Sequence, residues 1–179
     1  RVVWIMTIKN IIIVGITGVG KTTIGKFLAE RLGKQFIDLD KYIEQTCGVD
    51  IPTIFELEGE NGFRDRETFA LNQVMTETND YVLSLGGGCV IRSENRQIIT
   101  RQKNLVVQLV ADLDIIVERL SRSPNKRPLL ANQNLKQKIE SLFEERREFY
   151  KMVSDVTINT TLLKPHQVIE QVEKHLHTN

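Results

Sequence analysis

Residues 10–22 read Asn10-Ile11-Ile12-Ile13-Val14-Gly15-Ile16-Thr17-Gly18-Val19-Gly20-Lys21-Thr22, and this stretch decides the fold. The first five residues form a short, β-branched, apolar run, the pattern of a strand buried on both faces. The next eight satisfy G-x-x-x-x-G-K-[ST]. Glycines 15, 18 and 20 let the backbone turn so that successive N–H groups converge on one point. Lys21 brings an ammonium to the terminal phosphates of a nucleotide, and Thr22 offers a hydroxyl to Mg²⁺. Thr22 to Arg31 then has the composition of an amphipathic helix, whose N-terminus favours an anion. Strand, loop and helix together predict a site for a nucleoside triphosphate.

Working outward, five short apolar runs alternate with helical periods. The strand candidates are 10–14, 35–39, 80–85, 104–110 and 154–158. The helix candidates are 21–32, 40–47, 51–58, 62–78, 92–102, 112–121, 134–150 and 165–177. Asp112 reads as an N-cap with Asp114 in the first turn, and Pro165 suits the first turn of the last helix. This alternation predicts an α/β fold of three layers, a five-stranded parallel sheet with helices on both faces. In such sheets ligands bind beyond the C-terminal strand ends. Three candidate strands end in unusual chemistry: the glycine-rich loop, Asp38 with Asp40, and Gly86-Gly87-Gly88.

The bulk composition narrows the partners. A chain of 179 residues accommodates one ordinary α/β domain. With 24 basic and 23 acidic residues its net charge is +1, which gives no electrostatic footprint for nucleic acid or an anionic membrane. Cys47 and Cys89 form no C-x-x-C pair and read as free thiols of a cytoplasmic protein. The apolar run within residues 1–6 is too short to span a bilayer, and residues 1–5 read as an extension ahead of Met6. His166, His175 and His177 read as surface residues rather than a metal site.

No Asp ends the strand 80–85, so the second anchor for Mg²⁺ must come from elsewhere, and Asp38 with Asp40 is the nearest source. On a strand, alternate residues point the same way, so both carboxylates can face the crevice. One would order the metal's shell and the other accept from a substrate hydroxyl; the competing reading is that Asp40 only caps the helix beginning at Lys41. Arg64 and Arg66 are two apart and cannot share a helical face. Glu67, three residues from Arg64, could hold its guanidinium as a clamp for a carboxylate. Residues 119–127, Arg-Leu-Ser-Arg-Ser-Pro-Asn-Lys-Arg, read as a basic loop suited to phosphate.

Taken together, these motifs resemble the shikimate kinases, small P-loop enzymes of the nucleoside-monophosphate-kinase type. The resemblance covers about residues 10–160. It rests on the P-loop, F-x-D-x-D-x-x-I-E at 36–44, I-F-E-x-E-G-E-x-x-F-R-x-x-E at 54–67, S-L-G-G-G at 84–88 and R-P-L-L at 127–130. It implies ATP- and Mg²⁺-dependent phosphorylation of the shikimate 3-hydroxyl on the route to chorismate. The implied architecture is a P-loop NTPase fold in a single domain, with a substrate-binding segment at about 40–70 and a lid at about 119–133. A monomer acting on shikimate and ATP, with no nucleic acid or membrane partner, is the expectation.

Residue by residue, the resemblance implies an ATP site at Gly15, Gly18, Val19, Gly20, Lys21, Thr22 and Thr23. Arg127 would act from the lid, and either Arg119 or Arg122 would stack on adenine. Thr22 and Asp38 would serve the metal. Asp40, Arg64, Glu67, Gly86, Gly87, Gly88 and Arg146 would bind the acceptor, and Lys21, Asp40 and Arg127 would be catalytic. The related pattern R-x-P-L-Y departs here to Arg146-Arg147-Glu148-Phe149-Tyr150, which leaves the local helix end open and Arg147 as an alternative. A gluconate kinase shares the P-loop but not the Asp pair, Phe-Arg and triple-glycine set. A catalytically idle nucleotide-binding module should have lost Lys21, one of the Asp pair or Arg127.

Overall fold

The computed structural model describes residue 8 and residues 10–101, 104–122 and 132–177. Five parallel strands form one sheet in the order β2-β3-β1-β4-β5. They are β1 (Asn10–Val14), β2 (Gln35–Asp38), β3 (Tyr81–Ser84), β4 (Asn104–Val110) and β5 (Val156–Asn159). The helices are α1 (Lys21–Leu32), α2 (Leu39–Cys47), α3 (Ile51–Glu77), α4 (Ser93–Ile99), α5 (Leu113–Ser121), α6 (Asn132–Val153) and α7 (Pro165–His177). The predicted three-layer architecture with a five-stranded parallel sheet is present.

The central position of β1 follows from its side chains. Ile11, Ile12, Ile13 and Val14 are all buried, so this strand needs cover on both faces. Alternation supplies it. Ile12 and Val14 join Leu83 and Val106 against residues of α3, α4 and α6. Ile11 and Ile13 join Val82, Leu105 and Val107 against α1 and α7. With β1 in the middle, the loop that follows it emerges between the ends of β3 and β4.

Several boundaries differ from the expectation for local reasons. β2 stops at Asp38, not at residue 39, because Asp38 caps α2: its Oδ1 accepts from the Lys41 N–H at 3.3 Å. Asp40 therefore lies in the first helical turn, and the cap predicted as its alternative role belongs to Asp38. Asp112 occupies the N-cap position of α5 through its carbonyl, which accepts from Ile115 and Ile116, and its side chain makes no capping bond. β5 lies at 156–159, two residues later at its start than expected, since Ser154 N–H still bonds to Tyr150 O as α6 ends. α4 is shorter than expected, ending at Ile99, where the Thr100 N–H closes onto Arg96 O.

α3 contains a break at Gly59, whose φ of 72° and ψ of −176° are not helical. This matches the two separate helices expected on either side of it. The break lets the second half of α3 turn Phe63, Arg64 and Glu67 inward while Leu57, before it, stays exposed. Farther along the chain, α6 runs unbroken through the altered motif to Val153. Glu148 explains this, since a proline there would lack the helical N–H donor and clash with the preceding turn.

Candidate active site

The loop after β1 is fixed from below and open above. Gly15 has φ 151°, and a Cβ there would stand 2.6 Å from the carbonyl oxygen of Leu109, so the chain passes directly against β4. Gly20, at φ 99°, is the N-cap of α1 and supplies no side-chain cap. The first N–H groups of α1 are thus left for an anion, where the helix dipole favours it. Lys21 folds back along the loop, donating from Nζ to the carbonyls of Gly15 at 2.6 Å and Ile16 at 3.0 Å. Burial pushes its ammonium down from the ordinary lysine value to about 8, against the pull of Asp40 and Asp38.

Above this loop lies an open cleft of about 300 Å³, lined by Lys21, Thr22, Thr23, Asp38, Asp40 and Gly86 among others. Asp38 and Asp40 reach it by different means, one from the end of β2 and one from the first turn of α2. The alternation argument therefore gave the right convergence through the wrong geometry. Asp40 Oδ1 is buried and has no hydrogen-bond partner among the described residues. Burial, then the neighbouring Asp38 charge, raises its carboxyl above the usual range, while Lys21 and Arg64 pull it down.

The triple glycine is where the charged groups meet. A Cβ on Gly86 would stand 2.8 Å from Asp40 Oδ1, and one on Gly87 would stand 3.2 Å from Arg146 Nη1. One on Gly88 would overlap the Arg64 guanidinium outright. None of the three has a left-handed backbone. They are required for the space they leave, which seats one carboxylate and two guanidinium groups around a single turn.

Arg64 is buried and donates from Nη1 to Glu67 Oε1 at 2.9 Å, as the spacing predicted. Burial raises the Glu67 carboxyl, and the Arg64 charge opposes it. Arg66 points elsewhere, bonded at 2.8 and 2.7 Å to Glu58. Arg146 is half-buried beside Gly87, whereas Arg147 is exposed and paired with Glu144 at 3.5 Å. The Nε atoms of Arg64 and Arg146 and Oε2 of Glu67 are buried without partners among the described residues. These three side chains do not line the 300 Å³ cleft themselves; they gather behind the glycine turn that does, and unsatisfied buried groups there call for a polar partner.

A second cavity of about 270 Å³ shares Gly20 and Thr23 with the first and continues over Val19, Arg119, Leu163 and Pro165. Arg119 Nη1 donates to Val19 O at 3.1 Å. Arg122 lines neither cavity; it is exposed and bonded to Glu118 at 2.5 Å. Sequence reasoning missed Leu163, Thr160 and Pro165 here, and Pro165 gave only a helix-start signal. It also missed Thr17 and Ser84 in the first cleft; Ser84 is in register with Asp38 on β2. Arg127 and most of the segment 119–133 lie outside the described residues.

The donor set is suited to Mg²⁺. Thr22 hydroxyl and Asp38 carboxylate are hard oxygen ligands facing one cleft, and the Asp38 bond to its cap is a long one. Among the described residues no group of three or more His, Cys, Asp or Glu could enclose a metal. Magnesium asks for no such cage, since water and phosphate complete its shell. No described helix is long and apolar enough to cross a membrane.

Comparison with known proteins agrees with this geometry. The shikimate kinase family model matches residues 17–177. A shikimate kinase of Marinomonas sp. (strain MWYL1) is 45% identical over 172 residues, covering 93% of both chains. One of Bordetella avium (strain 197N) is 46% identical over 150 residues, covering 84% of this chain and 70% of that one. Among solved structures, a shikimate kinase from Acinetobacter baumannii in complex with shikimate superposes with a TM-score of 0.85 at 38% identity, covering 96% of this chain and 94% of that one. A P-loop, a paired aspartate and a glycine turn holding two arginines, matched nearly end to end by such relatives, leave one assignment: the chain belongs to the shikimate kinase family.

Proposed function

We propose that this chain transfers the γ-phosphoryl group of ATP to the 3-hydroxyl of shikimate, giving ADP and shikimate 3-phosphate. The observation that carries this reading is the turn at Gly86–Gly88, which seats Asp40, Arg146 and Arg64 within reach of one small molecule. Two guanidinium groups suit a carboxylate, and a carboxylate between them and the P-loop suits a hydroxyl. The Acinetobacter relative described with shikimate supports this choice of acceptor.

In this reading the nucleotide phosphates lie on the N–H groups at the start of α1 and on Lys21. The base follows Gly20 and Thr23 into the second cavity, where Arg119 and Pro165 provide a flat cation and an apolar wall. That assigns adenine to Arg119 in preference to Arg122. Thr22 and Asp38 would hold Mg²⁺, which would neutralise charge on the outer phosphates. Arg64 and Arg146 pin the acceptor carboxylate and turn its ring so that a hydroxyl meets Asp40. The raised carboxyl of Asp40 makes it a better proton acceptor than an ordinary aspartate. Rate comes mainly from holding donor and acceptor in line and neutralising charge. A monomer acting in the cytoplasm remains the expectation.

The test is a coupled ADP-release assay with MgATP, with and without shikimate, and with gluconate as control. Release dependent on shikimate alone is expected. Release with gluconate instead would overturn the acceptor site while keeping the P-loop assignment.

A further inference from the structure

The α6 helix presents three residues to the glycine turn from one face: Arg146, Phe149 and Tyr150, at spacings of three and four. Arg146 reaches Gly87 directly. Tyr150 is buried, and its hydroxyl donates to the Gly87 carbonyl at 2.5 Å. Phe149 carries the Arg96 guanidinium over its ring, 4.4 Å from the centroid. That guanidinium in turn donates from Nη1 to the carbonyls of Val90 at 2.8 Å and Ile91 at 2.7 Å, just past the turn. Phe149 stands where the related motif has Leu, so the cation–π contact belongs to this chain's own version of the motif.

We infer that Tyr150 and the Arg96–Phe149 pair are positioning residues that clamp the turn 86–91 to α6, and so set where Arg64, Arg146 and Asp40 stand for the acceptor. The second half of the turn is held by the buried Cys89 and Val90 side chains and by Asn95 Nδ2, which donates to the Cys89 carbonyl at 2.9 Å, but its glycine half has little to hold it. Its own bonds are Cys89 N–H to Gly86 O and Ile91 N–H to Gly88 O, both 3.1 Å. Three glycines in succession add backbone freedom and no side-chain packing. Without an external tie the seats for the three charged groups would wander by amounts that matter for binding. The tie is a neutral donor over the whole working range, since burial raises the Tyr150 phenol to about 12. The clamp acts first on acceptor binding, because the two guanidinium groups it places sit at Gly87 and Gly88; Gly86 and Gly87 also line the P-loop cleft, but Tyr150 and Arg96 line neither cleft. Its acceptor arm rests on the reading of shikimate as the substrate.

The experiment compares wild type, Tyr150→Phe and Phe149→Leu in two measurements. Steady-state kinetics vary shikimate and ATP separately. Amide hydrogen exchange follows Cys89 and Ile91 in the protein alone. Loss of one hydrogen bond predicts a roughly threefold to tenfold rise in shikimate KM for Tyr150→Phe, with ATP KM unchanged. Phe149→Leu should raise shikimate KM about twofold. In both variants the two amides should exchange faster than in wild type. Equal changes in both KM values, or none, would overturn the positioning role, as would unaltered exchange at Cys89 and Ile91. Faster exchange in a protein whose wild type does not turn over shikimate would support the clamp and overturn the acceptor assignment instead.

Discussion

Arg64 and Glu67 lie one helical turn apart on α3, joined by a 2.9 Å bond from Nη1 to Oε1, and both are buried. The pair is not self-sufficient, since Nε of the arginine and Oε2 of the glutamate find no partner among the described residues. Glu67 holds the guanidinium while leaving part of its fork unspent. A carboxylate arriving from the cleft would complete it.

Arg64→Ala should therefore raise shikimate KM by about tenfold or more, the worth of a charge-assisted hydrogen bond, while ATP KM stays near wild type. Glu67→Ala should do similar damage by a different route. It removes the buried counter-ion of the guanidinium and leaves only the exposed Glu60, 3.7 Å from Nη2, which costs up to about 3 kcal/mol in stability. Urea unfolding separates the two: the glutamate variant should lose more stability than the arginine variant, because the Glu67 carboxyl left behind can take up a proton whereas the guanidinium cannot lose one. Equal effects of Arg64→Ala on both substrates would argue against a carboxylate clamp.

The glycine turn permits a sharper division. A methyl group at 86 meets Asp40, and one at 88 meets the Arg64 guanidinium. Neither position needs a left-handed backbone, so alanine acts through contact and not through strain. Gly86→Ala should lower kcat by about tenfold, because it displaces Asp40, the group proposed to meet the reacting hydroxyl. Gly88→Ala should act mainly on shikimate KM, by a similar factor. Steady-state kinetics on the two variants would show it, and a common effect on kcat from both would mean that the turn works as one rigid unit.

What could be read from residues alone follows a physical line. The P-loop was legible because backbone geometry, ammonium and hydroxyl are encoded within eight contiguous residues. The three inner strands were legible because parallel strands buried on both faces leave continuous apolar runs, as in Ile11 to Val14, while the partly exposed edge strands β2 and β5 were legible only from the alternation with helices. Arg64 with Glu67 was legible because helical spacing fixes their neighbourhood. The route of Asp40 to the cleft was not. Whether Asp38 ends a strand or caps a helix depends on one bond to Lys41, which no periodicity records. The glycine turn read as a wall for ligand, but its seating of three charged groups depends on α3 and α6, distant in sequence. Nothing local marked Leu163 or Pro165 as neighbours of Arg119, since only the sheet order brings the chain after β5 beside α1.

Lys21 provides a pH signature. Its ammonium titrates near 8 rather than at the ordinary 10.5, chiefly because burial disfavours the charge. Between those values the unfolded chain binds the proton more tightly than the folded one. Stability should therefore rise as pH increases through about 8 to 10.5. Nucleotide binding runs the other way. Phosphate favours the ammonium, so above pH 8 binding takes up a proton, and affinity should fall by up to about tenfold per pH unit. Calorimetry at pH 8.5 in two buffers of different ionisation enthalpy measures that proton directly. Lys21→Met should show no uptake and no phosphoryl transfer; a fully active variant would sink the P-loop assignment.

Asp40 links this titration to the chemistry. Its carboxylate faces the cleft with one oxygen unpartnered, and its charge supports the ammonium of Lys21. Asp40→Asn keeps the shape and removes the charge, so two effects should separate. Turnover should fall by about a hundredfold or more, the usual worth of a general base, with ATP still bound at pH 7. Lys21, deprived of its nearest support, should titrate lower than in wild type, and the fall in nucleotide affinity should begin at a lower pH. An amide in place of a buried carboxylate should leave thermal stability equal or higher at pH 7, because the folded state disfavours that charge. Near-normal turnover would remove Asp40 from catalysis. Lost turnover with an unmoved pH edge would leave the base role intact and show that Asp38 alone supports Lys21.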